Sequence, residues 1–206
     1  MSPAVDPDLV ARAAALAGPG GRALLGIAGA PGAGKSTLAA ALAGALGERA
    51  VVVGMDGFHL AGVQLRRLER ADRKGAPDTF DAHGFVALLE RLAHPGPATV
   101  YAPAFERPLD EAVAGAVAVP REVPLVIVEG NYLLLDTPPW DRVAPLLTES
   151  WFVELPRGVR ERRLSARHER FGASPTRARV HALGSDAANA ALVAPTAARA
   201  DRVVRA

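Results

Sequence analysis

A segment near the start of the chain, GAPGAGKST at residues 29–37, combines glycines with a lysine and two hydroxyl side chains. Four residues separate Gly29 from Gly34, and Lys35 and Ser36 follow directly, which is the spacing of a phosphate-binding loop. The glycines allow successive backbone N–H groups to point at phosphate oxygens, and the helix that follows presents its positive end to the same anion. The lysine then reaches the outer phosphates of a nucleoside triphosphate, while the serine hydroxyl binds Mg²⁺.

The sequence around this loop favours phosphate binding over a glycine turn that merely caps a helix. Leu24, Leu25 and Ile27 predict a buried strand before it, and LAAALAGAL at residues 38–46 predicts a helix packed on a sheet. We therefore predict that ATP and Mg²⁺ bind here. The residues predicted to bind the nucleotide are Gly29, Ala30, Pro31, Gly32, Ala33, Gly34, Lys35, Ser36 and Thr37.

Acidic residues follow two other apolar segments, which we predict to be buried strands. Asp56 follows AVVVGM at residues 50–55, and Glu129 follows LVIV at residues 125–128. Ligands of open α/β sheets bind beyond the carboxyl ends of the strands, where both acids would lie. Asp56 is the candidate general base for an alcohol that attacks the terminal phosphate, although an ordinary Asp-Gly turn explains it equally well. Glu129 is predicted to bind Mg²⁺, with a role as substrate ligand as the alternative.

A predicted helix at about residues 157–175 has four arginines on one face. They are spaced by three, four and three residues: Arg160, Arg163, Arg167 and Arg170. Phosphoryl transfer requires cations that close over the phosphates and exclude water, so we predict that this helix is a lid. The alternative is a solvated face whose arginines pair with neighbouring acids.

Two further groups of polar residues are candidates for contact with a substrate. His59 lies three residues after Asp56 and is retained as a candidate substrate contact, whereas His83 is assigned no role. The basic stretch at residues 66–74 is either a solvated face or a cap over an anionic substrate, and the sequence does not decide between them.

The whole chain has 206 residues, of which 50% are hydrophobic, and a formal net charge of +2. This length predicts a single domain over residues 1–206, and strands that alternate with helices predict an α/β fold with a parallel sheet. A leading helix at residues 6–17 shows no visible function. The absence of cysteine excludes disulfides and zinc–thiolate sites.

The composition and the apolar segments also bear on where the protein acts and on its partners. We predict a cytoplasmic protein, because MSPAVDPDLV at residues 1–10 is not a leader and no apolar run reaches about 18 residues. For the same reason, a membrane is not predicted as a partner. A nucleic acid is not predicted either, since few aromatic residues are present to stack on bases. A homodimer is compatible with the sequence.

Five motifs in order support a family resemblance over residues 24–204. Behind the phosphate-binding loop they are MDGFHL (55–60), RKGAPDTFD (73–81), YAPAFER (101–107) and VEGNYLLLD (128–136). Together they resemble the phosphoribulokinase, uridine kinase and pantothenate kinase group of P-loop kinases. The nearest likeness is to the nucleoside/nucleotide kinase-like branch that is often described as fructose or sugar kinases.

This resemblance implies a P-loop NTPase fold with strand order 2-3-1-4-5 and an acceptor-binding segment at about residues 56–110. It implies that Asp56 is the base, that Glu129 lies in the second metal-binding motif, and that Arg163 and Arg167 act from the lid. Asn189, with the loop at Pro195 and Thr196, would lie near the adenine. The residues that would line the acceptor pocket are Phe58, His59, Phe80, Arg107, Asn131 and Tyr132.

The leading hypothesis is therefore an ATP- and Mg²⁺-dependent kinase that phosphorylates a hydroxyl of a small acceptor. The resemblance does not identify the acceptor, because pantothenate kinases are longer and uridine kinases differ after the aspartate. Hydroxyls of nucleosides, pantothenate-like compounds and sugars all satisfy the same base and phosphate geometry. One alternative is a nucleotide-dependent ATPase or switch that acts on a protein, for which Asp81 to Gly84 supplies a D-x-x-G motif. That motif follows no predicted strand, and no Asn-Lys-x-Asp motif is present. A silent nucleotide-binding regulator is a third hypothesis.

Overall fold

A computed structural model describes residues 5–18, 20–94, 96 and 98–205. Over these residues the strands are β1 (Ala23–Ala28), β2 (Ala50–Gly54), β3 (Val100–Glu106), β4 (Glu111–Val119), β5 (Leu125–Gly130), β6 (Glu149–Glu154) and β7 (Arg202–Arg205). The helices are α1 (Pro7–Leu16), α2 (Lys35–Leu46), α3 (Gly62–Arg67), α4 (Ala82–Ala93), α5 (Arg157–Arg170), α6 (Pro175–Leu183) and α7 (Ser185–Val193). Among these helices, none has the length and apolar character needed to cross a membrane.

Five of the strands form one parallel sheet in the order β2-β5-β1-β6-β7. Numbered along the chain within the sheet, this order is 2-3-1-4-5, so the predicted topology is confirmed. The central strand β1 pairs with both β5 and β6, and Ile27 lies opposite Glu129 on one side and Trp151 on the other. The loop that follows β1 therefore begins at the middle of the sheet's carboxyl edge.

Helices cover both faces of the sheet, because alternate residues of each strand point to opposite sides. On one face, Ile27 belongs to a core cluster with Ala13 of α1 and Leu42 of α2. On the other face, Val128 belongs to a cluster with Phe85 of α4. With apolar packing on both sides, every residue of β1 is buried, as expected for a central parallel strand.

The hairpin formed by β3 and β4 lies outside this sheet. Its strands are antiparallel, with Val100 opposite Val119 and Glu106 opposite Glu111. No helix separates the two strands, and a short turn suffices for antiparallel pairing, so this pair is additional to the predicted parallel sheet. The turn at residues 107–110 extends from the end of β3 and places Arg107 at the tip of the hairpin.

The predicted helices near both ends of the chain agree with the structure. The predicted break near Gly184 separates α6 from α7, and the leading helix is α1. Two further predicted breaks, GPGG at 18–21 and HPGP at 94–97, include Pro19, Pro95 and Pro97, which lie outside the described residues. Residues 1–4 of the N-terminal segment MSPAVDPDLV also lie outside the described residues.

Candidate active site

The loop after β1 adopts a conformation that requires glycine at specific positions. Gly32 and Gly34 have φ angles of 77° and 102°, in the region that side chains rarely adopt. A Cβ atom added at Gly29 would lie 2.7 Å from the backbone oxygen of Val153, and one at Gly32 would lie 2.8 Å from Cγ of Leu164. The loop is thus held between β6 and α5, with its backbone free of side chains where it curves.

Lys35 is buried in the hollow of this loop. Its Nζ atom donates to the backbone oxygen of Ala30 at 3.1 Å and to Oδ1 of Asn131 at 2.6 Å. Burial lowers the pKa of Lys35, and the nearby carboxylates of Glu129 and Asp56 act in the opposite direction. Asn131 was predicted to line the acceptor pocket, but its amide oxygen contacts the lysine of the loop.

Ser36 and Glu129 lie next to each other at the ends of α2 and β5. The Ser36 hydroxyl donates to Oε2 of Glu129 at 3.2 Å. Burial raises the pKa of Glu129, and the nearby Asp56 carboxylate raises it further. A divalent cation would relieve the repulsion between these two carboxylates, and hydroxyl and carboxylate oxygens are the ligands that Mg²⁺ prefers. The residues present therefore fit the metal.

Few protein ligands are available to such a cation. Within the described ranges, no three His, Cys, Asp or Glu side chains come together in a way that could hold a metal ion. Mg²⁺ commonly keeps several waters and binds through one or two carboxylates together with substrate phosphates. We therefore expect the nucleotide to complete the coordination.

Asp56 lies two residues after the end of β2, as the second residue of a short 3₁₀ turn, Met55–Phe58. Its side chain is 38% exposed, and its Oδ2 atom lies 3.9 Å from Nη2 of Arg107. The ring of His59 donates from Nδ1 to the backbone oxygen of Asp56 at 2.9 Å, which leaves the carboxylate itself free. In the described part of the chain, this carboxylate accepts no hydrogen bond, so it is available to a ligand.

Helix α5 lies against the phosphate-binding loop. Leu164 is buried at Gly32, and Nη1 of Arg160 donates to the backbone oxygen of Pro31 at 3.3 Å. Arg163 and Arg167 line a cavity of about 760 Å³ that opens from the loop. Of the four arginines of the predicted lid, three thus lie beside the loop, whereas Arg170 is exposed at the end of the helix.

This cavity extends to a region that the sequence did not single out. Its far end lies between α1, α2 and β7, and its apolar lining residues there are Val5, Leu9, Leu38, Ala41 and Val204. In the sequence, these positions have the spacing of ordinary core residues. No pattern distinguishes an apolar side chain that faces a cavity from one that faces a neighbouring helix.

Asn189 was predicted to lie near the adenine, and the structure places it elsewhere. Its Nδ2 atom donates to the backbone oxygen of Gly75 at 3.1 Å, and the Tyr132 hydroxyl donates to the same oxygen at 2.5 Å. Thr196, from the same prediction, donates to the backbone oxygen of Val193. Neither Asn189 nor Thr196 lines the cavity, because the buried face of α7 is turned toward the segment around Gly75.

The aromatic residues predicted to line the acceptor pocket are mostly core residues. Tyr132 is fully buried and Phe80 is 7% exposed, and both rings pack on Trp140 with centroids 5.4 and 5.8 Å away. Phe58 is half-buried, with its ring edge against Phe85 at 5.2 Å. The prediction of direct acceptor contact is therefore corrected for Phe80 and Tyr132. Both rings belong to the core, and the Tyr132 hydroxyl holds the segment around Gly75.

His59 occupies a more accessible place in the same region. Its ring lies between Phe80 and Phe105, with centroids 4.0 and 4.9 Å away. Burial lowers the pKa of His59, which favours the neutral ring. A neutral histidine next to Asp56 can donate or accept a hydrogen bond with an uncharged ligand.

Three of the five basic residues at 66–74 pair with acids, two with Asp78 nearby in the sequence and one with Asp110 of the hairpin turn. Arg70 and Arg73 lie 3.3 and 2.9 Å from Oδ2 of Asp78, and Nζ of Lys74 lies 2.8 Å from Oδ2 of Asp110. These contacts favour the interpretation of a solvated face that fixes the loop. A cap over a substrate is less consistent with side chains that already have partners.

Comparison with known proteins identifies relatives of this site and fold. No family model matches the chain. A candidate uridine kinase from Schizosaccharomyces pombe is 35% identical over 156 residues, which cover 71% of this chain but 66% of that protein, just under two thirds of its length. An ATP-dependent kinase-like protein from Aspergillus versicolor is 39% identical over 128 residues, which cover 59% of this chain and 74% of that protein.

The crystal structure of a candidate fructose transport system kinase from Silicibacter sp. TM1040 matches nearly the whole molecule. Its TM-score is 0.87 and its sequence identity is 38%, and the match covers 98% of this chain and 100% of that one. The likeness therefore includes the sheet, the loop after β1 and the helices that follow β6.

Proposed function

Since the chain belongs to the group of P-loop kinases that contains the uridine kinases and pantothenate kinases, we propose that it transfers the terminal phosphoryl group of ATP to a hydroxyl of a small metabolite. The observation that supports this most strongly is the free Asp56 carboxylate, which lies close enough to Lys35 and Glu129 to affect the pKa of both. The acceptor is a nucleoside, a pantothenate-like compound or a sugar.

In this mechanism the loop amides and Lys35 hold the outer phosphates of ATP. The adenine occupies the apolar end of the cavity, between α1 and β7. Asp56 accepts the proton of the acceptor hydroxyl as its oxygen bonds to the terminal phosphorus and the bond to ADP breaks. Arg163 and Arg167 balance the charge on the transferred group, while α5 excludes water.

Ser36 and Glu129 would hold Mg²⁺, which supplies charge neutralisation to the phosphates when it is bound. The protein's own contribution to this step is the fixed placement of a hydroxyl and a carboxylate beside Lys35. Their positions follow from the start of α2 and the end of β5, both of which are rigid elements of the fold.

The alternative of a protein-directed switch loses its main sequence feature. Asp81 and Gly84, the ends of the D-x-x-G motif, form the N-terminal cap of α4, where Oδ1 of Asp81 accepts from the backbone N–H of Gly84 at 2.8 Å. Such a cap accounts for an aspartate at this position without a nucleotide. We therefore favour the small-molecule kinase.

The proposal is tested by a screen of ADP release against nucleosides, pantothenate and free sugars. Asp56→Asn keeps the size of the side chain but weakens it as a base, so we expect kcat to fall by roughly 10² to 10⁴. The Kd for ATP should stay within a few-fold of the wild-type value. Asp141→Asn, an exposed position outside the cavity, is the matched control.

Two outcomes would contradict the proposal. Normal turnover of Asp56→Asn with an accepted substrate would show that Asp56 is not the base. ADP release that is independent of every acceptor, but stimulated by a protein partner, would favour the switch.

A further inference from the structure

Arg107 lies at the tip of the hairpin formed by β3 and β4, which is not part of the central sheet. Its side chain nevertheless lines the cavity at the phosphate-binding loop, together with Lys35, Arg163 and Arg167. These four cations come from three separate elements: the loop and its helix α2, the lid helix α5, and the hairpin. The resemblance to known kinases implied an acceptor role for Arg107, and its placement suggests a different one.

The guanidinium of Arg107 has no close partner in the part of the chain that the structure describes. Its nearest acidic oxygen is Oδ2 of Asp56 at 3.9 Å, and its Cζ atom lies 5.9 Å from the centre of the Phe171 ring. It donates no hydrogen bond to any described residue. The side chain is 41% exposed, so it is open to the cavity and free to bind a ligand.

A second unpaired guanidinium lies close to it. Arg167 also lines the cavity. Burial lowers the pKa of Arg167, and the nearby charge of Arg107 lowers it further. The carboxylates of Asp186, Asp56 and Glu129 act on this pKa in the opposite direction. The Arg167 side chain donates no hydrogen bond within the described ranges. Two neighbouring guanidinium groups without hydrogen-bond partners can bind an anion between them.

The charges that line the cavity favour an anionic ligand. Its lining contains five cations, Lys35, Arg107, Arg163, Arg167 and Arg205, and one carboxylate, that of Asp6. The terminal phosphoryl group of a nucleoside triphosphate is an anion that such a set can bind. Planar guanidinium groups also match phosphate oxygens better than an ammonium group does.

We propose that Arg107 is a catalytic residue that binds the terminal phosphoryl group, opposite the arginines of the lid. The role of Arg107 in turnover rests on the proposed function. As the acceptor oxygen bonds to phosphorus, the bond to ADP breaks and Asp56 takes the proton, while Arg107 balances charge on the transferred group. Arg107 lies 3.9 Å from Asp56, so the hairpin brings a cation next to the proposed base.

The same guanidinium chemistry could serve an anionic group of the acceptor instead, and nucleotide binding distinguishes the two. We expect Arg107→Met to reduce the preference of the protein for the magnesium complex of a non-hydrolysable ATP analogue over that of ADP by about tenfold. The Kd for ADP should change less than about twofold. Isothermal titration calorimetry measures both constants without any acceptor.

Arg91→Met is the matched control, because Arg91 is exposed on α4 and does not line the cavity. It should behave as wild type, and Arg107→Lys should recover part of the lost preference. An unchanged preference in Arg107→Met would overturn the inference.

Kinetics with an acceptor from the screen provide a second arm. If Arg107 acts on the phosphoryl group, Arg107→Met lowers kcat with little change in the KM for the acceptor; a raised acceptor KM with normal kcat would overturn the inference. If the wild-type protein shows no acceptor-dependent turnover, the proposed function fails. The calorimetric result still decides whether Arg107 binds the terminal phosphate.

Discussion

Glu129 shows how a single residue can satisfy two interpretations of the sequence. As a metal ligand it needs a second oxygen donor beside it, and the Ser36 hydroxyl at 3.2 Å supplies one. As a substrate ligand it would need to face the acceptor, and its proximity to Asp56 keeps that role open. A substitution that removes the charge of Glu129 distinguishes the two roles. Loss of a metal ligand changes the dependence of the rate on Mg²⁺ concentration, whereas loss of a substrate ligand changes the KM for the acceptor.

We expect Glu129→Gln to raise the Mg²⁺ concentration needed for half-maximal turnover by about tenfold or more, because an amide oxygen binds Mg²⁺ more weakly than a carboxylate. The KM for the acceptor should stay close to the wild-type value. Steady-state rates over a Mg²⁺ titration make this measurement. An unchanged Mg²⁺ dependence with a raised acceptor KM would assign Glu129 to the substrate.

Residue spacing was sufficient to place Lys35, Ser36 and Asp56, because each follows directly from a strand end or a loop motif. It was not sufficient for Asn131, whose oxygen contacts Lys35 across 96 positions of sequence. Nor could it separate the buried ring of Tyr132 from a pocket-lining one. Those distinctions depend on which side chains pack together in three dimensions, and a local pattern does not contain that information.

At the level of elements, the lid helix α5 is held by little apolar contact. Leu164 is its buried residue, and arginines occupy much of the rest of the helix. Segments with few buried apolar contacts open at low free-energy cost. This composition is consistent with the proposed role of α5 as a lid that opens for nucleotide exchange. The arginine spacing predicted from the sequence that Arg163 and Arg167 share one helix face, whereas the hairpin's contribution to the cavity that they line required the fold.

A different contact fixes α1 to the sheet, and it depends on pH. Oε2 of Glu149 accepts from Nε of Arg12 at 2.8 Å, and Oε1 accepts from Nε1 of the buried Trp151 at 2.7 Å. Burial alone would raise the pKa of Glu149, but these hydrogen bonds lower it below its usual value. A carboxyl group whose pKa is lower in the folded state stabilises the fold above its usual pKa, and this stability is lost as pH falls.

Glu149→Gln retains an acceptor for Trp151 but loses the charge that faces Arg12. We expect its Tm at pH 7 to lie a few degrees below that of the wild type. The difference should shrink as pH falls below about 4.5, the ordinary pKa of a glutamate side chain. Thermal unfolding followed by circular dichroism at several pH values tests this. A difference that is constant with pH would contradict the assignment.

The whole molecule directs its polar chemistry to one edge of the sheet. Three neighbouring strands carry it: Asp56 lies two residues beyond the end of β2, Glu129 is the penultimate residue of β5, and the phosphate-binding loop follows β1. Alternation of strands and helices predicted this edge, and the family resemblance supplied the strand order. The apolar end of the cavity, where we propose that the adenine binds, was missed because it joins α1 and β7, the first and last elements of the described residues.

Transfer of the terminal phosphoryl group to a hydroxyl is the central claim, and ATP labelled in that group tests it directly. With an accepted nucleoside, pantothenate or sugar, we predict that the label appears in the phosphorylated acceptor in equal amount to the ADP formed. Mass spectrometry of the products measures both. Recovery of the label only as inorganic phosphate, with every acceptor tested, would contradict the account.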